Sequence, residues 1–168
     1  LPLNADSRML SYLPLSHVLE RALVEHGQLG SGFRVFFADS LETFTDDMQR
    51  ARPTVFFSVP RLWVKFQQAV LHKMPQKKLD LLLRLPIVCG IVKKKLLTTL
   101  GLDKCIMAIS GAAPISPDLL RWYARVGLKI AEGYGLTENC ALSHITRPGE
   151  DVGTVGRTYA GVECRSDP

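Results

Sequence analysis

The sequence predicts an α/β fold in which helices flank a mainly parallel sheet. Short apolar segments alternate with amphipathic ones along the chain, which is the pattern of repeated strand–helix units. The apolar segments are continuous rather than alternating, as in "TVFFSV" at 54–59, and strands of this kind have helices on both faces. Strands joined in this way follow right-handed crossovers, which makes the sheet mainly parallel.

The first half of the chain contains three of the predicted strands. "MLSYLPL" (9–15) predicts a strand, and "SHVLERALVEHGQLG" (16–30) predicts a helix that ends in glycines. "FRVFFA" (33–38) predicts the second strand. Apolar residues recur at helical spacing in "SLETFTDDMQRA" (40–51), and a proline ends that helix before the third strand at 54–59.

The second half contains two further strands and the clearest helix signals. A helix follows Pro60, and a long basic helical region spans 76–100, interrupted by its one proline. "KCIMAIS" (104–110) predicts the fourth strand. "SPDLLRWYARVG" (116–127) predicts a helix with a serine N-cap, a proline at its first position and a closing glycine. "LKIAEGYG" (128–135) predicts the fifth strand, and shorter glycine-rich segments follow.

Composition limits the classes of function. The chain has 168 residues, 46% of them hydrophobic, which suits a folded domain and excludes intrinsic disorder. Lys and Arg exceed Asp and Glu by 21 − 16 = 5, which favours anionic partners such as nucleotides, CoA or lipid headgroups. Basic and aromatic residues are not interleaved, so we expect no nucleic-acid partner.

Cysteine spacing and hydropathy predict the compartment. The four cysteines form no CxxC pair, so we expect reduced thiols in a cytoplasmic protein without a metal cluster. No segment resembles a signal peptide or a membrane span. The lysine run at 93–95 predicts a solvated helix face, and the alternative is contact with CoA or with anionic lipid at a membrane surface.

Three polar or glycine-rich stretches follow predicted strands: "LSH" (15–17), "SGAAP" (110–114) and "GYGLTE" (133–138). Ligands bind beyond the carboxyl ends of the strands in open parallel sheets. The three stretches therefore predict a binding site at that edge of the sheet.

The stretch "GYGLTE" is not a dinucleotide fingerprint, because Glu138 stands where GxGxxG requires its third glycine. A carboxylate beside the Thr137 hydroxyl suits a hard cation that bridges phosphate oxygens. The flat ring of Tyr134 suits contact with a planar base. An ordinary turn with an exposed glutamate is the alternative, and the residues alone leave both interpretations open.

Four stretches together resemble one protein family. "EGYGLTEN" (132–139) resembles the aromatic-Gly-x-Thr-Glu signature of the adenylate-forming, AMP-dependent synthetase and ligase family. "YLPLSHVLER" (12–21) resembles the Pro-Leu-x-His-x-x-Glu-Arg run of its long-chain acyl-CoA synthetases. "SGAAPISPDLLRWY" (110–123) and "GTVGRTYAGVECR" (153–165) resemble two further family segments. The resemblance covers nearly the whole chain and implies part of the large N-terminal domain of an acetyl-CoA-synthetase-like fold.

The resemblance implies roles for individual residues. Glu138 would bind Mg²⁺, and Thr137 would hydrogen-bond the phosphate that becomes AMP; both are the implied catalytic residues. Tyr134 would stack on the adenine, with glycines on either side allowing close contact. The implied nucleotide-binding residues are Gly111, Ala112, Glu132, Gly133, Tyr134, Gly135 and Thr137.

The acyl substrate is implied to lie near His17 and Gly111. Each of these residues has a structural alternative. His17 is alternatively a residue that only begins a helix, since isolated histidines are often structural. Gly111 and Ala112 are alternatively small because a strand and a helix pack closely there.

The implied protein is a long-chain fatty acid–CoA ligase that uses ATP, CoA and a fatty acid as substrates and Mg²⁺ as cofactor. The alternatives are another adenylating ligase, for an aryl, short-chain or amino acid, and a non-catalytic pseudoenzyme or interaction module. We expect residues 1–150 to form the α/β subdomain and 151–168 to begin a β-rich segment. The family's phosphate loop, ribose-binding aspartate and C-terminal domain with its catalytic lysine have no match here, so we expect the chain alone to be inactive.

Overall fold

The computed structural model describes residues 3–146 and 152–165. Its strands are short and follow one another in chain order: β1 Arg8–Ser11, β2 Arg34–Phe37, β3 Val55–Ser58, β4 Met107–Ser110, β5 Ile130–Tyr134, β6 His144–Ile145 and β7 Arg157–Thr158. All five predicted strands are found, and the two-residue strands β6 and β7 are additional. The predicted boundary between residues 150 and 151 lies outside the described residues.

The helical segments connect the strands. They are a π-helix at Glu20–His26 and the α-helices α1 Gly27–Ser31, α2 Phe44–Ala51, α3 Pro60–Lys73, α4 Gln76–Arg84, α5 Pro86–Thr99 and α6 Pro117–Val126. A single 3₁₀ turn covers Thr137–Asn139. Within the described ranges, no helix combines the length and the apolar character needed to cross a membrane.

The sheet is mainly parallel, as predicted. β1 pairs with β2 in parallel, and β3, β4 and β5 pair in parallel in that order. The Thr54 N–H donates to the Arg8 carbonyl at 2.9 Å, which places β1 beside β3. β6 and β7 extend the β5 side as antiparallel strands. The carboxyl ends of β1, β3, β4 and β5 therefore lie along one edge.

The first predicted strand is shorter than expected, ending at Ser11 instead of residue 15. Pro14 lacks an N–H and cannot continue a ladder. The backbone N–H of Leu13 instead donates to the Glu20 carboxylate at 3.4 Å. The predicted helix at 16–30 accordingly begins with a loop and a π-helical turn.

Apolar side chains cover both faces of the sheet. Neighbouring strand residues point to opposite faces, so Leu10 and Phe56 join one core cluster while Met9 and Val55 join the other. Residues of α2, α3, α4 and α6 fill the larger cluster, and the π-helix covers the smaller one. The continuous apolar character of these strands is thereby explained.

Helix α6 follows most of its sequence signals. Pro117 occupies the first turn, and Gly127 ends the helix with φ +99°, a conformation that favours glycine. Ser116 occupies the predicted N-cap position, although its hydroxyl makes no capping hydrogen bond. Tyr123 of this helix packs edge-on against Trp63 with ring centroids 5.2 Å apart.

Candidate active site

The three polar stretches meet at the carboxyl edge of the sheet. His17, Gly111 and Ala112 line a narrow cleft of about 30 Å³ together with Tyr12. A Cβ on Gly111 would lie 3.2 Å from the Gly133 carbonyl, so the second and third stretches also touch. The predicted convergence is therefore found, and a space of this size holds about one water molecule.

The loop that carries His17 is fixed by the two charged residues that follow it. Glu20 is buried, and its carboxylate accepts hydrogen bonds from the Ser11 hydroxyl and the Leu13 N–H. Arg21 donates from Nε to the Leu15 carbonyl at 2.9 Å. Sequence reasoning assigned neither residue a role, although both belong to the recognised run.

His17 also has a local structural contact. Its Nδ1 accepts the backbone N–H of Leu19 at 3.2 Å, just before the π-helix. The residue thus helps to begin a helix and also lines the cleft. Since Nδ1 is already an acceptor, Nε2 is the nitrogen left for a substrate.

Tyr12 forms one wall of the cleft. Its hydroxyl donates to the Phe57 carbonyl at 2.8 Å. Burial raises the pKa of this phenol, and the Glu20 charge raises it further while a hydrogen bond with Ser58 opposes the shift. Tyr12 therefore stays neutral at physiological pH.

Polar residues stand in register on three neighbouring strands, at the ends of β3 and β4 and in the middle of β5. Ser58 of β3 pairs with Ser110 of β4, which pairs with Glu132 of β5. All three are buried. Within the described chain, the Ser110 hydroxyl has no hydrogen-bond partner, which is uncommon for a buried polar atom. Sequence reasoning missed this row, because strand register is a tertiary property.

Glu132 has a structural partner. Its carboxylate accepts the Gly153 N–H at 2.9 Å, and its own N–H donates to the Thr146 hydroxyl at 2.8 Å. These bonds join the segment after β6 to the sheet. The predicted nucleotide contact of Glu132 remains a prediction, and at least one of its carboxylate oxygens is engaged within the chain.

Tyr134 and its flanking glycines end β5. Tyr134 is 44% exposed, and its ring meets that of His144 edge-on with centroids 5.8 Å apart. A Cβ on Gly135 would lie 2.2 Å from the Ala141 backbone. Glycine is therefore required at 135 for the approach of this chain's own loop, whereas the exposed ring of Tyr134 is available to a base.

Thr137 and Glu138 lie on the 3₁₀ turn that follows, and both are exposed. Hydrogen bonds within the turn stabilise it. The Leu136 N–H donates to the Asn139 side chain at 2.8 Å, and the Ala141 N–H donates to the Leu136 carbonyl at 2.8 Å. Among the described residues, neither the Thr137 hydroxyl nor the Glu138 carboxylate has a hydrogen-bond or ion-pair partner. Both groups are thus held on a fixed turn and are open to a ligand.

Backbone strain is concentrated beside these groups. In the described ranges, four non-glycine residues have positive φ, and three of them, Ala112, Cys140 and Ala141, belong to the cleft and to the turn. Such residues are costly and cluster at ligand-binding sites.

The side chains present fit a magnesium ion shared with a nucleotide. Mg²⁺ in phosphoryl-transfer sites takes one or two carboxylates and completes its shell with phosphates and water. Glu138 offers one such unpaired carboxylate. No group of three or more metal-ligating side chains occurs in the part of the chain that the structure describes.

Comparison with known proteins identifies relatives of this chain. The model of the family described as "AMP-binding enzyme" matches residues 1–165. Long-chain-fatty-acid–CoA ligase 5 of Rattus norvegicus is 36% identical over 176 aligned residues, covering 92% of this chain and 25% of the relative. The chain thus spans about a quarter of the length of that ligase.

Solved structures of adenylate-forming enzymes share the fold. The A domain of carboxylic acid reductase from Segniliparus rugosus, in complex with AMP and a co-purified carboxylic acid, is 31% identical with a TM-score of 0.59; the match covers 77% of this chain and 20% of that one. Apo MatB from Rhodopseudomonas palustris is 25% identical with a TM-score of 0.64, covering 95% of this chain and 27% of that one.

Proposed function

The chain belongs to the family of AMP-binding enzymes, and we propose that the protein containing it is a long-chain fatty acid–CoA ligase. Such an enzyme adenylates a fatty acid with ATP and then transfers the acyl group to CoA. The observation that carries the proposal is the 36% identity to rat long-chain-fatty-acid–CoA ligase 5 over 92% of the chain. The exposed Thr137 and Glu138 supply the polar groups that adenylation requires.

Two displacements make up the reaction. The fatty acid carboxylate attacks the α-phosphate of ATP, forming the acyl–phosphate bond as pyrophosphate leaves. The CoA thiolate then attacks the acyl carbonyl, and AMP leaves. Charge builds on phosphate oxygens in the first step, and the Thr137 hydroxyl donates a hydrogen bond to one of them. Glu138 would hold Mg²⁺, whose charge offsets that of the phosphates when the ion is bound.

The remaining site residues orient the substrates in this proposal. The exposed Tyr134 ring stacks on adenine, and the small Gly111 and Ala112 leave space between the adenine and the acyl group. His17 lies near the fatty acid carboxylate and contributes its Nε2. His17, Gly111 and Ala112 line the same narrow cleft, which supports placing the acyl carboxylate beside these three residues.

The second candidate function is the activation of a carboxylic acid other than a long-chain fatty acid. The similarity to the carboxylic acid reductase domain, whose structure contains AMP and a carboxylic acid, favours adenylation itself without specifying the acid or the acceptor. The two candidates differ in which acid drives pyrophosphate exchange and in whether CoA is consumed.

The test is acid-dependent ATP–pyrophosphate exchange by the full-length protein. We expect exchange with palmitate, little with acetate, benzoate or amino acids, and formation of palmitoyl-CoA once CoA is added. Exchange driven best by an aryl or short-chain acid would establish the second candidate. No exchange with any acid would contradict both and leave a non-catalytic module.

A further inference from the structure

Strand β6 brings His144 directly opposite Tyr134, the residue proposed to stack on adenine. The two residues are register partners across the antiparallel β5–β6 pair. Directly opposite residues of such a pair point to the same face of the sheet, with Cβ atoms about 4.5–5.5 Å apart. Their rings meet edge-on at an interplanar angle of 61°. In the described ranges, no other aromatic ring contacts that of Tyr134.

The segment that carries His144 is fixed by backbone hydrogen bonds on both sides. The Ser143 N–H donates to the Tyr134 carbonyl at 3.1 Å, and the Tyr159 N–H donates to the Ser143 carbonyl at 3.0 Å. Strand β6 thus lies between β5 and β7, and Thr158 of β7 is the second register partner of His144. The sheet therefore sets the position of His144 relative to Tyr134.

The orientation of the His144 ring is fixed as well. The buried Ser143 hydroxyl and Nδ1 of His144 form a hydrogen bond of 2.8 Å. His144 is itself half-buried. Within the described part of the chain, Nε2 has no hydrogen-bond partner, so the polar contact of this imidazole is the one that anchors it beside Tyr134.

We infer that His144 is a positioning residue for nucleotide binding, which holds the Tyr134 ring in one orientation before the base arrives. This inference rests on the proposed contact between Tyr134 and adenine. Tyr134 is nearly half exposed, and an exposed side chain without a neighbour loses rotamer freedom when a ligand binds, which lowers affinity. Contact with a fixed ring removes that freedom in advance, and edge-on aromatic pairs are favourable in themselves.

This role predicts which kinetic parameter changes. Stacking of the base is the same in the bound substrate and in the transition state, because adenine takes no part in the reaction. Loss of His144 should therefore raise the KM for ATP and leave kcat unchanged. Loss of Glu138, which would act on the charge of the transition state, should instead lower kcat.

Equilibrium binding of MgATP to the full-length protein, followed by isothermal titration calorimetry, measures the effect without any acid substrate. We expect His144→Ala to weaken binding about 2–10-fold, as for the loss of a favourable aromatic pair. His144→Phe keeps the ring and should bind nearly as the wild type. His144→Gln keeps only a polar group and should bind as weakly as His144→Ala. His72→Ala, at an exposed histidine on α3, should leave binding unchanged.

A double-mutant cycle tests whether His144 acts through Tyr134. Addition of His144→Ala to Tyr134→Ala should weaken MgATP binding no further, because the ring that His144 positions is already absent. The Phe and Gln variants keep the bulk of the side chain, so their comparison remains decisive even where His144→Ala lowers the unfolding midpoint.

Three results would overturn the inference. Binding restored by His144→Gln but not by His144→Phe would show a direct hydrogen bond to the nucleotide. Equal weakening by His144→Ala with and without the Tyr134 ring would show that the two residues act independently. Absence of MgATP binding by the wild type would remove the adenine contact itself. The expected binding pattern in a protein whose pyrophosphate exchange is driven by another acid would support the inference and contradict only the proposed fatty acid substrate.

Discussion

Two tyrosines eleven residues apart show how the core differs from the candidate site. Tyr123 is fully buried, its hydroxyl donates to the Trp63 carbonyl at 2.6 Å, and burial raises its pKa. Tyr134 is nearly half exposed and presents its ring at the end of β5. In the core, the Tyr123 hydroxyl is satisfied within the chain. At the site, a ring, a hydroxyl and a carboxylate are left available, so substitutions there should alter catalysis without altering stability.

The largest effect on stability is expected in the core at Trp63. Its ring contacts those of Phe56, Phe66 and Tyr123 at centroid distances between 5.2 and 6.2 Å. We expect Trp63→Ala to lower the free energy of unfolding by about 3–5 kcal/mol, since it leaves a large cavity. Urea unfolding followed by circular dichroism measures this. Trp63→Phe should cost less, because it keeps a ring and removes a buried indole N–H without a partner in the described chain. Equal losses in both variants would contradict this account of the core.

An intermediate effect, on activity only, is expected at Tyr134. Loss of a base–aromatic stack costs about 1–3 kcal/mol, so Tyr134→Ala should raise the KM for ATP roughly 5–150-fold by the same principle. The unfolding midpoint should change little, because Tyr134 is nearly half exposed and lies outside both core clusters. Tyr134→Phe keeps the stacking surface and should behave nearly as the wild type. A lowered midpoint with an unchanged KM would show that Tyr134 belongs to the core instead.

The smallest effect is expected at the ion pair between Arg52 and Asp103. The Arg52 hydrogen bond lowers the pKa of Asp103, and the Arg52 charge adds to this against the effect of burial. A carboxylate with a lowered folded pKa stabilises above its unfolded pKa of about 3.9 and loses that contribution as the pH falls through the folded pKa. The pair should contribute about 0–1 kcal/mol at pH 7.

The measurement compares urea unfolding of wild type and Asp103→Asn between pH 2 and pH 7. The difference in unfolding free energy should be largest at pH 7 and should shrink towards zero below the folded pKa. Asp118→Asn removes an ion pair between exposed side chains and serves as the control. A difference that grew on acidification would contradict the assigned direction of the shift.

The sequence predicted the parts of the fold that depend on local pattern. The five parallel strands are continuous apolar segments, so the sequence alone predicts that they exist. Helix α6 is likewise predictable because it is bounded by Pro117 and Gly127. The two-residue strands β6 and β7 could not, since each is defined only by its partner in the sheet. The length of the first strand was overestimated because Glu20, nine residues beyond Ser11, takes part in ending it.

In the candidate site, too, the features that depend on local sequence were predicted and those that depend on tertiary contacts were not. Its three stretches were found from their positions after strands, and the structure brings them to one edge. The roles of Glu20 and Arg21 in fixing the His17 loop depend on tertiary hydrogen bonds. The requirement for glycine at 135 was predicted, but the group that approaches it is the Ala141 backbone. The glycines on either side of Tyr134 indicated that another group approaches the chain closely there, but they did not identify that group.

We propose that the edge of the sheet serves catalysis and contributes little to stability, and substitution of Glu138 separates these two properties. The full-length protein with Glu138→Gln should lose about 10²–10³-fold in fatty-acid-dependent pyrophosphate exchange, as for other groups that stabilise transition-state charge. Its unfolding midpoint should equal that of the wild type, and Glu42→Gln, at another exposed carboxylate, should change neither quantity. Exchange near the wild-type rate, or a loss of exchange explained by a lowered unfolding midpoint, would contradict the claim.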